Sequence, residues 1–586
     1  MIADIRVGKW RLPALLILAV SAIVMALVLV WVGQGLTFWL DEWDFVFRRQ
    51  TFTIQSFVTP HVDAFVLVPA LVYYVVLHVW GLSSYYPILA PDWLAHFLCV
   101  GLLALVVSWK SGVLIGLMAG LSLLFLGSAY EALLQPFQMQ YLFSTAGGLL
   151  AFALLDREVR SARVYVAAAV ALIFAIASSG VGPIFTGLIL VWALVRRERA
   201  ALLAAVPALV SYGIWYVAWQ GRLARIPGTA ENLVHVPVEL LYGIGAAAAG
   251  VTGLPPMRFA WVGAAIVVAI GIALVFLVVR RRARPTPLAV AALFALATEY
   301  GLHAFFRGAM GLEHAARSAY LYPAAVFVWL AVAGTIGMRL DPRRWTAGRR
   351  PIALALIGLL IVPMTLANMT QFFLAARALQ VIRATEAREL TLIERLRDVP
   401  GVDMDVSPDG ELLGNVAPGR YFTAIDQFGS PHIAGASDDL PGPDGARLNA
   451  VAMQLLGDAV TIGPPGGSGT AAPALNVLSG MASPDGAAAC TILRPLSGAG
   501  EATWSPSAAG VAFRLEGAAD RDPAVVQLFL GLFEPADQPA DATIQAAVQR
   551  GETIWLPPLP DSLHWTLRVS VDGDLAVHVC SRQPSR

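Results

Sequence analysis

Residues 12–45 read LPALLILAVSAIVMALVLVWVGQGLTFWLDEWDF, an apolar run followed closely by the acidic, aromatic cluster Asp41-Glu42-Trp43-Asp44-Phe45. The apolar run is long enough to cross the roughly 30 Å hydrocarbon core of a bilayer as a helix. No small-residue cleavage site separates it from the cluster, so we interpret it as a retained anchor rather than a signal peptide. Carboxylates at a bilayer edge cost free energy, which makes this cluster the leading candidate for chemistry.

The composition extends this interpretation to the whole chain. Hydrophobic residues make up 57% of the sequence and charged residues 14%, and the mean hydropathy is +0.67. These values predict a polytopic α-helical membrane protein, because helices satisfy their own backbone hydrogen bonds in lipid. The net charge is zero, so the basic residues are expected to mark topology, and no nucleic-acid partner is expected.

The apolar runs and the basic residues together predict about eleven spans, at residues 12–33, 87–108, 111–127, 141–155, 163–180, 183–195, 200–219, 258–279, 287–304, 318–338 and 351–374. Six basic clusters, which begin at Arg6, Lys110, Arg157, Arg196, Arg280 and Arg339, are all expected to be cytoplasmic. That placement requires segments 64–81 and 237–254 to be interfacial or re-entrant. We therefore expect a multi-pass protein of the plasma (inner) membrane, with a cytoplasmic amino terminus and an extracytoplasmic carboxyl-terminal domain.

Unusual polar residues then collect on the outer side, in loops 34–63, 128–140, 220–236 and 305–317. Functional groups concentrate on loops held by a rigid scaffold, so this asymmetry predicts an extracytoplasmic site at the membrane surface. Besides the first-loop acids, the candidate binding residues are His61, Asp63, Glu131, Gln135, Gln138, Arg222, Arg225, Arg307, Arg317 and Tyr320.

The composition changes near residue 375, which predicts three parts. These are a transmembrane domain at 1–375, an amphipathic connecting helix at 376–400 and an extracytoplasmic, mostly β domain at 401–586. Strands are predicted at 511–515, 524–533, 553–556 and 564–579, with the sequence VDGD at 571–574 as a hairpin turn. Cys490 and Cys580 bracket the most strand-like part, so a disulfide is predicted if this domain lies outside the reducing cytoplasm.

The first outer loop reads FWLDEWDF at 38–45, then TPHVD at 59–63, and an aromatic-rich apolar helix follows. In this order the elements resemble the GT-C superfamily of integral membrane glycosyltransferases, which carry a catalytic carboxylate in the first extracytoplasmic loop. The likeness covers roughly 1–375. Within this range, segments 127–140 and 317–322 are also similar to elements of bacterial members. It implies transfer of a sugar from a polyprenyl-phosphate donor to a glycan or lipid acceptor. The carboxyl-terminal region is similar by analogy alone to carbohydrate-binding modules of some members.

The chemistry of such a transfer explains the residue types. A sugar hydroxyl is a poor nucleophile, and a carboxylate that takes its proton contributes roughly 10²–10⁴ in rate. Asp41 and Asp44 share one face if the loop is helical. Asp41 is the preferred base, while Glu42 or Asp44 would orient the acceptor or hold a divalent cation; no other cofactor is expected. Arg317 is the preferred partner of the leaving phosphate, because a guanidinium binds two oxygens. A single displacement would invert the anomeric carbon.

Two other classes of protein remain open from the sequence. A transporter or flippase should place ionisable residues deep within spans, and only Asp92, His96, Glu299 and His303 do so. A non-enzymatic envelope protein that binds polysaccharide would need no acidic cluster. The first-loop acids are also compatible with helix capping, and Arg317 with anchoring at the headgroups.

Overall fold

The computed structural model contains two compact units of discontinuous sequence. The first comprises residues 1–36, 48–80 and 85–380, and the second comprises residues 37–47, 81–84 and 381–586. These ranges differ from the contiguous division at 375 and 400 predicted from composition, because the first outer loop groups with the carboxyl-terminal part. The residues that the structure describes are 11–62, 64–157, 160–219, 230–280, 286–336, 349–431, 440, 444–463, 475–484, 490–494, 499–504, 511–516, 526–533, 544–548, 553–560, 563, 565–570 and 576–581.

Helices form most of the chain. They are α1 Arg11–Gly33, α2 Asp41–Arg48, α3 Ile54–Val58, α4 Leu67–Trp80, α5 Tyr86–Ser111, α6 Val113–Leu124, α7 Glu131–Leu134, α8 Met139–Leu155, α9 Ala162–Ile176, α10 Val181–Arg196, α11 Arg199–Trp219, α12 Val236–Val251, α13 Pro256–Val279, α14 Pro287–Arg307, α15 Ser318–Ile336, α16 Arg349–Arg395, α17 Pro418–Phe428 and α18 Gly445–Leu456. Local chemistry sets several of their starts. At α14, for example, the Thr286 hydroxyl accepts from the Ala289 N–H and Pro287 occupies the first turn.

Seven helices within the described residues are long and apolar enough to cross a membrane. The first of them, α1, exposes large apolar side chains such as Leu16, Leu27 and Trp31, and only 17% of its apolar window is buried. A helix surface of this kind is suited to lipid contact. The predicted span 111–127 forms a shorter helix, α6, and segments 64–81 and 237–254 form the short apolar helices α4 and α12.

Polar contacts join the helix ends at one end of the first unit. Lys110 Nζ lies 2.6 Å from Asp156 Oδ1, and Arg196 Nη1 lies 3.4 Å from the same oxygen. Two hydroxyl groups bond to the end of α15. Ser111 Oγ donates to the Ala333 carbonyl, and Thr286 Oγ1 donates to the Gly334 carbonyl. The carboxyl-terminal ends of α5, α8, α10 and α15 and the start of α14 are thus linked by short contacts.

The second unit contains eleven strands among its described residues. They are β1 Thr461–Gly463, β2 Leu475–Ser479, β3 Met481–Pro484, β4 Cys490–Arg494, β5 Ala499–Trp504, β6 Val511–Glu516, β7 Val526–Gly531, β8 Ile544–Val548, β9 Thr553–Leu556, β10 Trp565–Ser570 and β11 Ala576–Ser581. They form one sheet in the order β1-β9-β6-β11-β4-β3 and another in the order β2-β5-β10-β7-β8. Every pairing is antiparallel.

The structure tests two sequence predictions for this region, the disulfide and the hairpin. Cys490 and Cys580 lie opposite each other in β4 and β11 and are joined by a disulfide. The predicted hairpin of 564–579 is wrong, because β10 and β11 belong to different sheets. The 571–574 turn itself lies outside the described residues. An Asp-Gly pair favours a reversal of the chain but does not determine whether the next strand returns to the same sheet.

The last long helix differs from its prediction. The sequence predicts a span at 351–374 and a connecting helix at 376–400, whereas α16 is one helix of 47 residues. The second half is predicted to be amphipathic, and the side chains of Arg383, Glu386 and Glu389 are each 0% exposed. Charged residues thus face the interior of the second unit, where each needs a partner.

Candidate active site

The acidic cluster folds as the short helix α2, which begins at Asp41. Three carboxylates in its first turn suit the positive end of a helix dipole. Trp43, Phe45 and Val46 are buried, whereas Asp41 is exposed and Asp44 is half-buried. The three-residue spacing places both aspartates on one face of the helix, where the Asp44 side chain is 12% exposed.

Glu42, in contrast, is 2% exposed and belongs to a buried polar network. Its Oε2 accepts from the Trp39 N–H at 3.1 Å and lies 3.7 Å from Arg383 Nη1. The same guanidinium donates to the Thr37 carbonyl. This environment accounts for Glu42 as an anchor of α2, and the two aspartates are better placed than Glu42 to meet a ligand.

Trp43 anchors the other side of α2. Its indole Nε1 donates to Glu386 Oε1 at 3.1 Å, across 343 residues of sequence, and the residue is 0% exposed. Its ring meets the ring of Tyr421 edge to face, with centroids 5.3 Å apart. Helices α16 and α17 therefore both hold the first-loop helix inside the second unit.

One cation lies near this face of α2. Arg420 Nη2 is 3.9 Å from Asp44 Oδ1, and the Arg420 guanidinium lies over the ring of Phe47, 4.5 Å from its centroid. The Arg420 side chain is 48% exposed, so this ion pair is screened by solvent and contributes little to stability.

A second group of predicted residues lies in the first unit, around the start of α15. The Glu131 N–H donates to Ser318 Oγ at 3.0 Å, and Glu131 Oε2 accepts from the Ala319 N–H at 3.1 Å. Burial raises the pKa of Glu131, while the positive charge of Arg317 and the Ala319 hydrogen bond act in the opposite direction. Glu131 thus caps α15 and sets the position from which Arg317 projects.

Arg317 itself is exposed and contacts a chain of buried polar groups. Its Nη1 lies 3.4 Å from His314 Nε2, and His314 Nδ1 lies 2.8 Å from His303 Nε2. His303 Nδ1 in turn lies 3.1 Å from Glu239 Oε2. Burial, together with the charges of Arg317 and Arg307, lowers the pKa of His314 to about 4. His314 is therefore neutral at physiological pH.

Two further predicted residues adjoin this chain. Arg307 donates to the Tyr320 hydroxyl and its guanidinium lies 5.5 Å from the centre of that ring. The Tyr320 ring contacts the rings of His303 and His314, with centroids 4.9 and 5.8 Å away. The structure thus brings Arg307, Arg317 and Tyr320 to one histidine-centred cluster.

The remaining candidates fall elsewhere. His61 is 7% exposed and packs against Phe137, with ring centroids 4.9 Å apart. Gln135 is 9% exposed and Gln138 is half-buried. Asp63, Arg222 and Arg225 lie outside the described residues. Within the part of the chain that the structure describes, no group of three or more His, Cys, Asp or Glu side chains could hold a metal ion.

Sequence reasoning misses the residues that support both groups. From the sequence, Glu239 is only part of an interfacial segment, and His303 is an isolated in-span residue. Arg383 and Glu386 fall within the predicted amphipathic connecting helix and are not singled out. Two charged residues three apart, next to apolar residues that become buried, can indicate an inward-facing charged pair. The sequence does not identify their partners, which are distant along the chain.

Comparisons with known proteins give a limited likeness. No protein-family model matches the chain, and no curated protein matches its sequence. The chain is similar to the crystal structure of ArnT from Cupriavidus metallidurans bound to undecaprenyl phosphate, at 15% identity and a TM-score of 0.43 over 69% of this chain and 84% of that one. The apo structure of the same protein gives 16% identity and a TM-score of 0.42 over the same shares. Similarity at this level carries no functional argument by itself.

Proposed function

We propose that this protein is a membrane glycosyltransferase that moves a sugar from a polyprenyl-phosphate donor to an extracytoplasmic glycan or lipid acceptor. The observation that carries the proposal is α2, a short helix whose buried face is fixed by Glu42, Trp43 and their partners while Asp41 stays exposed. Catalysis by a carboxylate base requires a fixed and accessible oxygen. A loop acid without a catalytic role would not require such anchoring.

Asp41 is the proposed general base, and Asp44 is proposed to orient the acceptor. The base takes the hydroxyl proton of the acceptor while that oxygen attacks the anomeric carbon, and the bond from this carbon to the phosphate oxygen breaks. A single displacement of this kind inverts the anomeric configuration.

Arg317 is proposed to bind the donor phosphate. It is an exposed guanidinium beside the capped start of α15, and a guanidinium can bind two phosphate oxygens at once. The charge on the phosphate increases as the glycosidic bond breaks, so the same contact stabilises the transition state. Arg307 is proposed as the second cation of this site.

The proposed topology has eleven crossings with the carboxyl-terminal domain outside. The contacts that join Lys110, Asp156, Arg196, Ser111 and Thr286 to their neighbours support a common side for the basic clusters. In this topology α4 and α12 are interfacial or re-entrant and do not cross. A reporter fused after Arg586 that is active only in the cytoplasm would contradict it.

The decisive experiment is a transfer assay with the full chain in proteoliposomes. A labelled sugar on a polyprenyl phosphate is the donor, and envelope glycan or membrane lipid is the acceptor. Asp41→Asn should lower turnover roughly 10²–10⁴-fold with donor binding retained. Asp405→Asn is the matched control, because Asp405 is an exposed aspartate of the same unit. If Asp41→Asn and Asp44→Asn both transfer sugar at the rate of the control, the first-loop base is wrong.

A further inference from the structure

The chain of polar groups behind Arg317 has a fixed hydrogen-bond direction. A guanidinium has only donors, so His314 Nε2 must accept from Arg317. A neutral imidazole that accepts through Nε2 carries its proton on Nδ1, so His314 donates to His303 Nε2. His303 then carries its proton on Nδ1 and donates to an oxygen of Glu239. Each of the three hydrogen bonds thus determines the direction of the next.

Burial shields the inner bond, between His303 and Glu239, from water, whereas the His303–His314 bond is part-buried and the Arg317–His314 contact lies at the surface. In the contact of His303 with Glu239 the side chains are 4% and 1% exposed. A Cβ added at Gly308 would lie 3.0 Å from Glu239 Oε1, so the backbone at the end of α14 confines the carboxylate closely. A buried polar group that loses its partner costs about 1–3 kcal/mol. The inner part of the arrangement is therefore closely confined, and Arg317 is its exposed end.

We propose that Glu239, His303 and His314 are positioning residues that hold the Arg317 guanidinium in the orientation that binds an anionic phosphate headgroup. This inference rests on the proposed function, in which Arg317 contacts the donor phosphate. It assigns a role to a buried carboxylate and two imidazoles that act through Arg317 and not on the substrate directly. A shared metal ion is not needed to explain the two imidazoles, because their facing nitrogens are at hydrogen-bonding distance.

The two nitrogens of His314 can be tested separately. Glutamine places an amide near the position of Nε2, so His314→Gln can still accept from Arg317 but loses the bond to His303. Asparagine places its amide near Nδ1, so His314→Asn keeps the bond to His303 and loses Arg317. The proposal predicts that His314→Asn weakens phosphate binding more than His314→Gln, because only the former removes the acceptor of Arg317.

At the inner end of the hydrogen-bonded series, Glu239 needs only to provide an acceptor. Glu239→Gln retains a carbonyl oxygen that can accept from His303, whereas Glu239→Leu retains none. We expect Glu239→Gln to bind a phosphate headgroup within about twofold of the unmodified protein and Glu239→Leu to bind about tenfold more weakly, a factor that corresponds to about 1.4 kcal/mol. If the charge of Glu239 were its contribution, both substitutions would weaken binding equally.

The test measures binding of a polyprenyl phosphate to the full chain in nanodiscs, with the uncharged polyprenol as the reference ligand. Arg317→Ala and His303→Phe should each weaken phosphate binding about tenfold, and the double variant should be no weaker than Arg317→Ala, because His303 acts through Arg317. His78→Phe, at an exposed histidine of the same unit, should match the unmodified protein.

The outcomes separate two failures. If Arg317→Ala leaves phosphate binding unchanged, the phosphate role in the proposed function is wrong. If Arg317→Ala weakens binding but the losses of His303→Phe and Arg317→Ala add in the double variant, Arg317 binds phosphate and the positioning chain is wrong. Should His303→Phe fail to fold, the Glu239→Gln and Glu239→Leu pair decides between the alternatives. Equal phosphate binding by these two variants would contradict the positioning role of Glu239, His303 and His314.

Discussion

Two groups of candidate site residues in this protein contact polar networks of different chemistry. In the second unit, α2 is fixed by ionic groups, with Glu42 3.7 Å from Arg383 and Trp43 bonded to Glu386. In the first unit, Arg317 contacts the imidazole of His314, which is bonded to His303 and is neutral because its pKa is lowered to about 4. Removing one member of a buried ionic network leaves an uncompensated charge, whereas removing a neutral member leaves an unpaired dipole. The first network should therefore break at a larger cost in stability, and the second should respond to pH.

Arg383→Met should have the largest effect on stability. It leaves the buried carboxylate of Glu42 without this cation and should destabilise the second unit by about 3–5 kcal/mol. The fraction of protein that stays monodisperse in detergent after heating is the measurement. Arg397→Met is the control, because the Arg397 and Asp426 side chains are 40% and 56% exposed, and no measurable change is expected there. Equal melting of the two variants would contradict the ionic role assigned to Arg383.

Trp43→Phe should have an intermediate effect. It keeps most of the buried ring and removes the donor to Glu386 Oε1, and a buried acceptor that is left unpaired costs about 1–3 kcal/mol. Because α2 carries Asp41, sugar transfer should fall along with thermal stability. Trp80→Phe, at an indole that is 56% exposed, is the matched control. Full transfer by Trp43→Phe would show that Asp41 does not depend on this anchor.

The smallest effect is a pH dependence that the first unit should show. The folded pKa of His314, about 4, lies below its ordinary value of 6.5, so the unfolded chain binds the extra proton more readily. The contribution of His314 is thus complete above pH 6.5 and is lost as the pH falls toward 4. With allowance for a half-buried ring, the loss at pH 5.5 should be about 1 kcal/mol. Melting temperatures at pH 7.5 and 5.5 measure it, and His314→Gln should reduce the difference. An unchanged difference in that variant would assign the dependence to other groups.

Local patterns predicted the parts of this structure that local forces determine. Apolar runs marked the long helices, since burial in lipid depends on each segment's own composition. The spacing of Asp41 and Asp44 correctly predicted a shared helix face. The buried positions of Glu42 and Arg383 could not be predicted in this way, because the two residues meet only after folding and lie far apart in the sequence.

The same reason explains the other differences. The second half of α16 has the polar composition of a solvated helix, yet Arg383, Glu386 and Glu389 face inward, where distant partners satisfy them. The Asp-Gly signal at 571–574 is local, whereas the choice of sheet for β10 and β11 depends on the packing of all the strands. The histidine chain joins α12, α14 and the segment before α15, and no single-segment periodicity reports such a meeting.

The bond between Trp43 and Glu386 also sets an order of events during synthesis. The first-loop helix is made early, but the residue that fixes its indole follows 343 residues later in the chain. At about 5–20 residues per second, the ribosome needs roughly 20–70 s to reach it. Throughout that interval α2 lacks this anchor, and truncated chains that end before α16 never acquire it. We therefore expect the acidic helix to mature only in chains that extend through α16, so that translation products abandoned earlier carry no competent site.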